Sequence, residues 1–265
     1  MELTGKVAVV TGASRGIGRA IVKELVKKRC GLLLTALEEG ELSSLAKEIA
    51  PLAPTLATRP ADLSKPEERK EFIEWVLRQE PPPDILVNNA GMGGNFGRFE
   101  TVEWESLEKA IALNVTAVVH LTHELIPILK KRPRATIVNI SSGSARLPYP
   151  GLAVYGATKG FVSSFSETLS AELAGTSVRV LCFHPGFTLT PFIRTSKMSL
   201  ETIPSRFVHT PERVASRIVE AIEKDKRWAY SDLVTHLTAL FANLLPPSLK
   251  ASVFKNLFWR LPDEA

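Results

Sequence analysis

The chain has 265 residues, with 33 Lys and Arg against 28 Asp and Glu, 45% hydrophobic and 23% charged. This is the make-up of an ordinary globular protein, and it excludes disorder, collagen and coiled coil. The +5 formal charge is dispersed, with no run of five or six basic residues and no basic stripe interleaved with aromatics, so no nucleic-acid partner is expected.

Cys30 and Cys182 stand far apart in apolar surroundings, which argues against a disulfide framework and against a metal site. A reducing compartment and a cytoplasmic location are expected. The first apolar run, Val7 to Val10, follows Met1 so closely that no signal peptide is expected. It ends in Thr11-Gly-Ala-Ser-Arg-Gly-Ile-Gly18, at the turn into a predicted helix from Gly16 to Lys28. Glycine at such a turn lets the backbone approach a pyrophosphate, and the free N–H groups and positive end of the helix favour the anion. The same residues also suit an ordinary tight strand-to-helix turn.

A second strand is predicted at Leu32 to Leu34, then helices at Glu39 to Ala50 and Pro66 to Gln79, the latter with proline in its first turn. The Pro81-Pro82-Pro83 turn leads into a strand at Ile85 to Val87. A long helix follows from Trp104 to Leu129, a strand from Ile137 to Ile140, a helix from Leu152 to Ala174, a strand from Val178 to Phe183, and a helix from Pro211 to Lys224. Strands that alternate with helices run parallel and are covered on both faces, which explains their unbroken apolar runs. The expected fold is α/β, a doubly wound parallel sheet (Rossmann fold) in three layers, forming one domain over residues 1–265.

Residues 231–265 depart from this alternation and form a C-terminal helical extension of the same domain. Leu233, Leu237, Leu240, Phe241 and Leu244 share one helical face, and after Pro246-Pro247 the residues Leu249, Val253, Leu257 and Leu261 share another. With Lys250, Lys255, Trp259 and Arg260 nearby, this amphipathic pair admits three readings: a cover over the site, a contact with a second subunit, or peripheral contact with a membrane surface. No stretch reads as a transmembrane helix.

Tyr155-Gly-Ala-Thr-Lys159 places a phenol and an ammonium four residues apart on one helix face. The ammonium favours the phenolate, pulling the tyrosine from about 10 toward neutrality at about 1.4 kcal/mol per unit and making Tyr155 a usable acid or base. An exposed Tyr and Lys that are merely neighbours would have the same spacing.

From about Leu3 to Lys224 the sequence resembles the short-chain dehydrogenase/reductase family, in its shorter, single-domain branch. Thr11 to Gly18 is similar to the family's glycine turn, Asn88-Asn-Ala-Gly91 to its Asn-Asn-Ala-Gly signature, and Asn114 to its helix asparagine. Ser142 precedes Tyr155 by the family spacing, and Pro185-Gly-Phe-Thr-Leu-Thr190 is similar to its Pro-Gly segment. The resemblance implies an NADP- or NAD-dependent oxidoreductase that interconverts a carbonyl and an alcohol. It implies a tetrad in which Tyr155 is general acid or base, Ser142 holds the substrate oxygen, Lys159 holds the ribose and lowers the tyrosine pKa, and Asn114 holds a relay water through its backbone carbonyl.

Cofactor contacts are implied for Gly12, Ser14, Arg15, Gly16, Ile17, Gly18, Asp62, Leu63, Asn89, Ala90, Gly91, Tyr155, Lys159, Pro185, Gly186, Thr188 and Thr190. Asn88 is assigned a structural role between strands. Asp62 also reads as a helix cap just before Ser64.

At the end of the second strand, where NAD-selective proteins place a carboxylate, the chain has Thr35-Ala36-Leu37. Arg15 is then the expected partner of a 2′-phosphate, so NADP is favoured over NAD, although Glu38 and Glu39 follow closely. Phe187, Leu189, Phe192, Ile193, Met198 and Leu200 suggest an apolar lid, Leu147 and Tyr149 a wall, and Met92 and Gly93 the nicotinamide end. The expected substrate is therefore a small hydrophobic carbonyl or alcohol. For Met198 and Leu200, packing against the domain explains the pattern equally.

The five histidines are scattered without metal-ligand spacing, and His184 is given no catalytic role. A homodimer or homotetramer is expected through the Tyr155 helix and its neighbour, with Phe161 and Phe165 on the outer face. The C-terminal helices could cap that surface instead. The rival function is a non-catalytic dinucleotide-binding regulatory or scaffold protein; a nucleotide-sugar epimerase fits neither the chain length nor the glycine spacing.

Overall fold

The computed structural model describes residues 1–192 and 208–258. Seven parallel strands make one sheet: β1 (Val7–Thr11), β2 (Gly31–Thr35), β3 (Leu56–Thr58), β4 (Ile85–Asn88), β5 (Ala135–Ile140), β6 (Val178–His184) and β7 (Trp228–Tyr230). Their spatial order is β3-β2-β1-β4-β5-β6-β7. The winding reverses between β1 and β4, which opens a crevice at the carboxyl ends of those strands.

Alternate residues of β1 serve opposite faces. Ala8 and Val10 pack with α1 (Gly16–Lys27), α2 (Glu39–Ile49) and α7 (Pro211–Glu223), through Ile21, Leu25, Leu42, Leu45, Val214 and Ile218. Val7 and Val9 pack with α3 (Pro66–Leu77), α5 (Ala117–Lys130) and α6 (Ala153–Glu172), through Phe72, Leu121, Leu125 and Leu169. This is the three-layer α/β sandwich that the alternating pattern predicts. Each fully buried Leu or Ile supplies roughly 1.5–3 kcal/mol of transfer free energy.

Two strands escape the sequence pattern. β3 and β7 are three residues each, with Leu56, Ala57, Thr58, Trp228 and Tyr230 only half-buried at the two sheet edges. Such short runs carry too little apolar signal to stand out.

The long predicted helix is continuous but not uniform. α4 (Trp104–Ile111) passes through one π turn (Ala112–Thr116) into α5, and Asn114 sits in that turn. By length and composition this 27-residue helix could cross a bilayer. Leu107, Ala110, Ala117, Leu121, Leu125 and Leu129 are instead buried, so much of its apolarity serves the core.

α8 (Leu233–Leu244) and α9 (Pro247–Phe258) complete the described chain. Of the predicted lid and tail, Ile193, Met198, Leu200, Trp259, Arg260 and Leu261 lie outside the described residues, as do the side chains of Lys255 and Leu257.

Candidate active site

The glycine turn is locked in place from below. Thr11 Oγ1 accepts the backbone N–H groups of Asn89 and Ala90 at 3.0 and 2.9 Å, and Asn89 Nδ2 donates to the carbonyls of Thr11 and Gly12 at 2.9 and 3.2 Å. Gly12 has φ +63°, and a Cβ there would meet Ala90 Cα at 2.9 Å; a Cβ on Gly18 would fall on the Gly12 carbonyl oxygen. Side chains at either position would push apart the two segments that form the crevice.

Around this turn lies a cleft of about 970 Å³. All seventeen residues proposed from sequence to contact a cofactor border it, from Gly12 and Ser14 through Asp62, Leu63 and Asn89 to Pro185, Gly186, Thr188 and Thr190. Ser142, Tyr155 and Lys159 border it too, whereas Asn114 stands one layer behind.

Asn114 Nδ2 donates to the Met92 carbonyl at 2.8 Å and to Thr158 Oγ1 at 3.0 Å, and its Oδ1 accepts the Met92 N–H at 2.9 Å. The side chain thus ties the segment after Gly91 to α6, a structural task that the sequence pattern did not indicate. Asn88 Nδ2 donates to Asn139 Oδ1 at 2.8 Å and to Thr122 Oγ1 at 3.1 Å, joining β4 to β5 and α5.

Ser142 caps a short 3₁₀ turn (Gly143–Arg146), accepting the Ser144 N–H at 3.1 Å, and also hydrogen-bonds Tyr155. Lys159 is buried, and its Nζ donates to the Ile140 carbonyl at 2.9 Å and lies 5.9 Å from the Tyr155 ring centre.

Here the sequence reading is corrected. Desolvation in the cleft pushes the Tyr155 phenol up to about 12 against the Ser142 hydrogen bond, and desolvation pushes Lys159 down to about 8. Burial penalises the charged form of each group, so the tyrosine stands well above neutrality beside Lys159.

The rim near β2 is also more crowded than the sequence suggests. Ala36 and Leu37 offer no carboxylate, but Arg15 Nε lies 2.9 Å from Glu41 Oε2, and its guanidinium is 3.9 Å from Glu38. Ser14 Oγ donates to the same Glu41 at 3.2 Å. Asp62 does not cap α3, whose N-cap is Lys65. Its carboxylate accepts the Ser64 N–H and hydroxyl at 3.1 and 2.6 Å and pairs with Lys109 at 2.9 Å.

Leu147, Tyr149, Phe187, Phe192, Met92 and Gly93 line the cleft, and Phe192 lies 5.2 Å from the Tyr155 ring. Leu189 does not line it; its side chain is exposed, because the backbone there bridges to His209 and turns it outward. His184, the last residue of β6, is buried and bonded to Ser163 at 3.0 Å, and burial lowers it to about 4, so it stays neutral.

One reading of the C-terminal extension, a cover over the site, is met at its first helix. Val234, Thr235 and Thr238 of α8, with its N-cap Asp232, border the cleft. Asp232 Oδ1 accepts the Thr235 N–H at 2.8 Å. Its Oδ2 accepts the hydroxyls of Thr235 and Ser231 at 2.6 and 2.8 Å and lies 2.7 Å from His209 Nε2. Ser231 Oγ in turn accepts the Gly186 N–H at 2.9 Å. Asp232 followed by Thr235 is a readable capping pattern, but its neighbours at the cleft come from distant segments.

Comparison with known proteins matches this geometry to one family. The family model described as short chain dehydrogenase matches residues 6–200. The 3-oxoacyl-acyl-carrier-protein reductase FabG of Thermotoga maritima is 30% identical over 226 residues, covering 83% of this chain and 91% of the relative. A short-chain dehydrogenase from Sphingobium yanoikuyae in complex with NADPH superposes with TM-score 0.81 at 26% identity, covering 98% of both chains. A 3-ketoacyl-(acyl-carrier-protein) reductase from Brucella melitensis complexed with NADH gives TM-score 0.78 at 31% identity, over 86% of this chain and 96% of the other.

Proposed function

The chain belongs to the short-chain dehydrogenase/reductase family, a nicotinamide-dinucleotide-dependent oxidoreductase of CH–OH groups, and from that premise we propose that it interconverts a hydrophobic carbonyl and its alcohol with NADP(H). The observation that carries this reading is the meeting of Ser142, Tyr155 and Lys159 in a cleft with a glycine turn at one end and Leu147, Tyr149, Phe187 and Phe192 at the other.

The residues fit a dinucleotide. The glycine turn presents backbone N–H groups to a pyrophosphate, and any side chain at Gly12 or Gly18 would fill the cradle. Bound there, the dinucleotide supplies or accepts the hydride. Ser142 Oγ positions the substrate oxygen, and Tyr155 donates its phenolic proton to that oxygen as charge develops on it. A phenol raised to about 12 is protonated at neutral pH, the state in which it can donate to the substrate oxygen. Lys159 holds the ribose hydroxyls, and Asn114 fixes the Met92 segment and supplies the relay carbonyl in its π turn, a helix defect often found at functional sites.

NADP is favoured because nothing at Ala36 or Leu37 repels a 2′-phosphate and Arg15 stands beside them. Arg15 would hold a 2′-phosphate in competition with Glu41, which it already pairs, so the preference over NAD is a modest one. The buried thiols Cys30 and Cys182 fit a cytoplasmic setting.

The test follows NADPH oxidation at 340 nm with a panel of hydrophobic ketones, aldehydes and oxoacyl thioesters, alongside calorimetric titration of NADPH and NADH. Tyr155→Phe is expected to lose turnover about 10²-fold or more while keeping NADPH affinity. Retained turnover in that variant would overturn the acid role, and NADH binding as tightly as NADPH would overturn the cofactor preference.

A further inference from the structure

Segments remote in sequence meet at the first turn of α8. Gly143, next to Ser142, donates its N–H to the Pro185 carbonyl at 2.8 Å, which joins the end of β5 to the segment after β6. His209 fastens that segment from outside: its N–H donates to the Phe187 carbonyl at 2.8 Å, and its carbonyl accepts the Leu189 N–H at 2.9 Å. Ser231 Oγ accepts the Gly186 N–H, and Asp232 Oδ2 reaches both Ser231 and His209.

Thr235 completes the junction. A Cβ on Gly143 would meet its Cγ2 at 3.3 Å, and a Cβ on Gly186 would meet its Oγ1 at 2.7 Å. Both glycines thus let the helix approach the two segments this closely.

Asp232 borders the cleft, but its charge is engaged by the protein. Oδ1 takes the Thr235 N–H, while Oδ2 takes the hydroxyls of Thr235 and Ser231 and faces His209 Nε2. A carboxylate only accepts, so His209, 4% exposed, donates through Nε2. Hydrogen bonds to an ionised acceptor are the stronger kind, so this carboxylate governs where its partners stand. His209, Ser231, Asp232 and Thr235 all lie beyond residue 200, where the match to the family model ends.

We propose that Asp232 is a positioning residue of the reaction. Through Ser231 and His209 it sets the segment from Gly186 to Leu189, and through Thr235 it holds that segment against Ser142 and Gly143. The reacting end of the dinucleotide is thereby oriented toward Ser142 and Tyr155, while the adenosine end is left to the glycine turn, Arg15 and Ala36. This role rests on the dinucleotide reading above.

The experiment titrates the full chain by calorimetry with NADPH and with 2′,5′-ADP, which carries the adenosine end alone. Asp232→Asn is expected to weaken NADPH binding about tenfold or more and to leave 2′,5′-ADP within about twofold. Emission of bound NADPH, which reports the surroundings of the nicotinamide, is expected to change in the same variant. His209→Leu should repeat the loss, and His209→Gln, which keeps an N–H donor, should restore NADPH affinity; this pair carries the test if Asp232→Asn does not fold. Unchanged NADPH affinity in Asp232→Asn or in His209→Leu would overturn the proposal. So would an equal loss for NADPH and 2′,5′-ADP, which would make the clasp a support of the fold alone. A wild type that binds neither ligand would overturn the dinucleotide reading and the positioning role with it.

Discussion

Tyr155 and Lys159 lie one turn apart on α6, and burial moves them in opposite directions, the phenol to about 12 and the ammonium to about 8. Lys159 therefore loses its proton well below the ordinary 10.5 of a lysine. Above pH 8 it has fewer protons to offer ribose hydroxyls, so NADPH affinity is expected to fall by up to about tenfold per pH unit. Fluorescence titration across pH 7 to about 9.5 checks this, and Lys159→Met should remove the inflection. The stability effect has the opposite sign. Between about pH 8 and 10.5 the unfolded chain holds a proton that the folded chain lacks, so this group's contribution to stability rises with pH there. These shifts were not legible in the Tyr-x-x-x-Lys spacing, which shows that the two groups are neighbours but not how much water reaches them.

At the scale of an element, α8 is a cleft wall because one carboxylate caps it and also binds outside it. Burial pushes Asp232 up, but hydrogen bonds from Thr235, Ser231 and His209 together outweigh it and hold it at about 2. The stabilisation from Asp232 is therefore complete above its ordinary 3.8 and is lost as pH falls toward 2. Asp232→Ala removes the cap and leaves buried donors unpaired, at a cost of about 1–3 kcal/mol in urea unfolding. Faster amide exchange in Leu233–Leu244 than in α1 would locate the loss, and unchanged exchange there would refute the clasp. The helix itself was legible in the period of Leu233, Leu237, Leu240 and Leu244. Its docking was not, since Gly143, Gly186 and His209 lie far away in sequence.

For the whole molecule, α6 and α4 carry apolar side chains outward. Phe161 is 42% exposed and stacked on Phe165, and Trp104 and Ile111 are exposed nearby. These faces are the expected subunit contact, giving a homodimer or homotetramer. Light scattering should return a multiple of 29.1 kDa that Phe161→Glu lowers. A monomeric wild type would reject this contact.

The local pattern determined most of the architecture. Apolar runs such as Val7–Val10 and Val178–Phe183, separated by amphipathic helices, admit only a parallel sheet covered on both faces, and the glycine turn after the first strand marks one end of the cleft. Those signals are readable because strand and helix periods are properties of neighbouring residues. Tertiary structure alone decided the rest: that Arg15 meets Glu41, that Asn114 ties Met92 to Thr158, that Asp232 meets His209, and that desolvation raises Tyr155 and lowers Lys159. Each depends on distances between segments remote in sequence and on the exclusion of water, neither of which a linear pattern records.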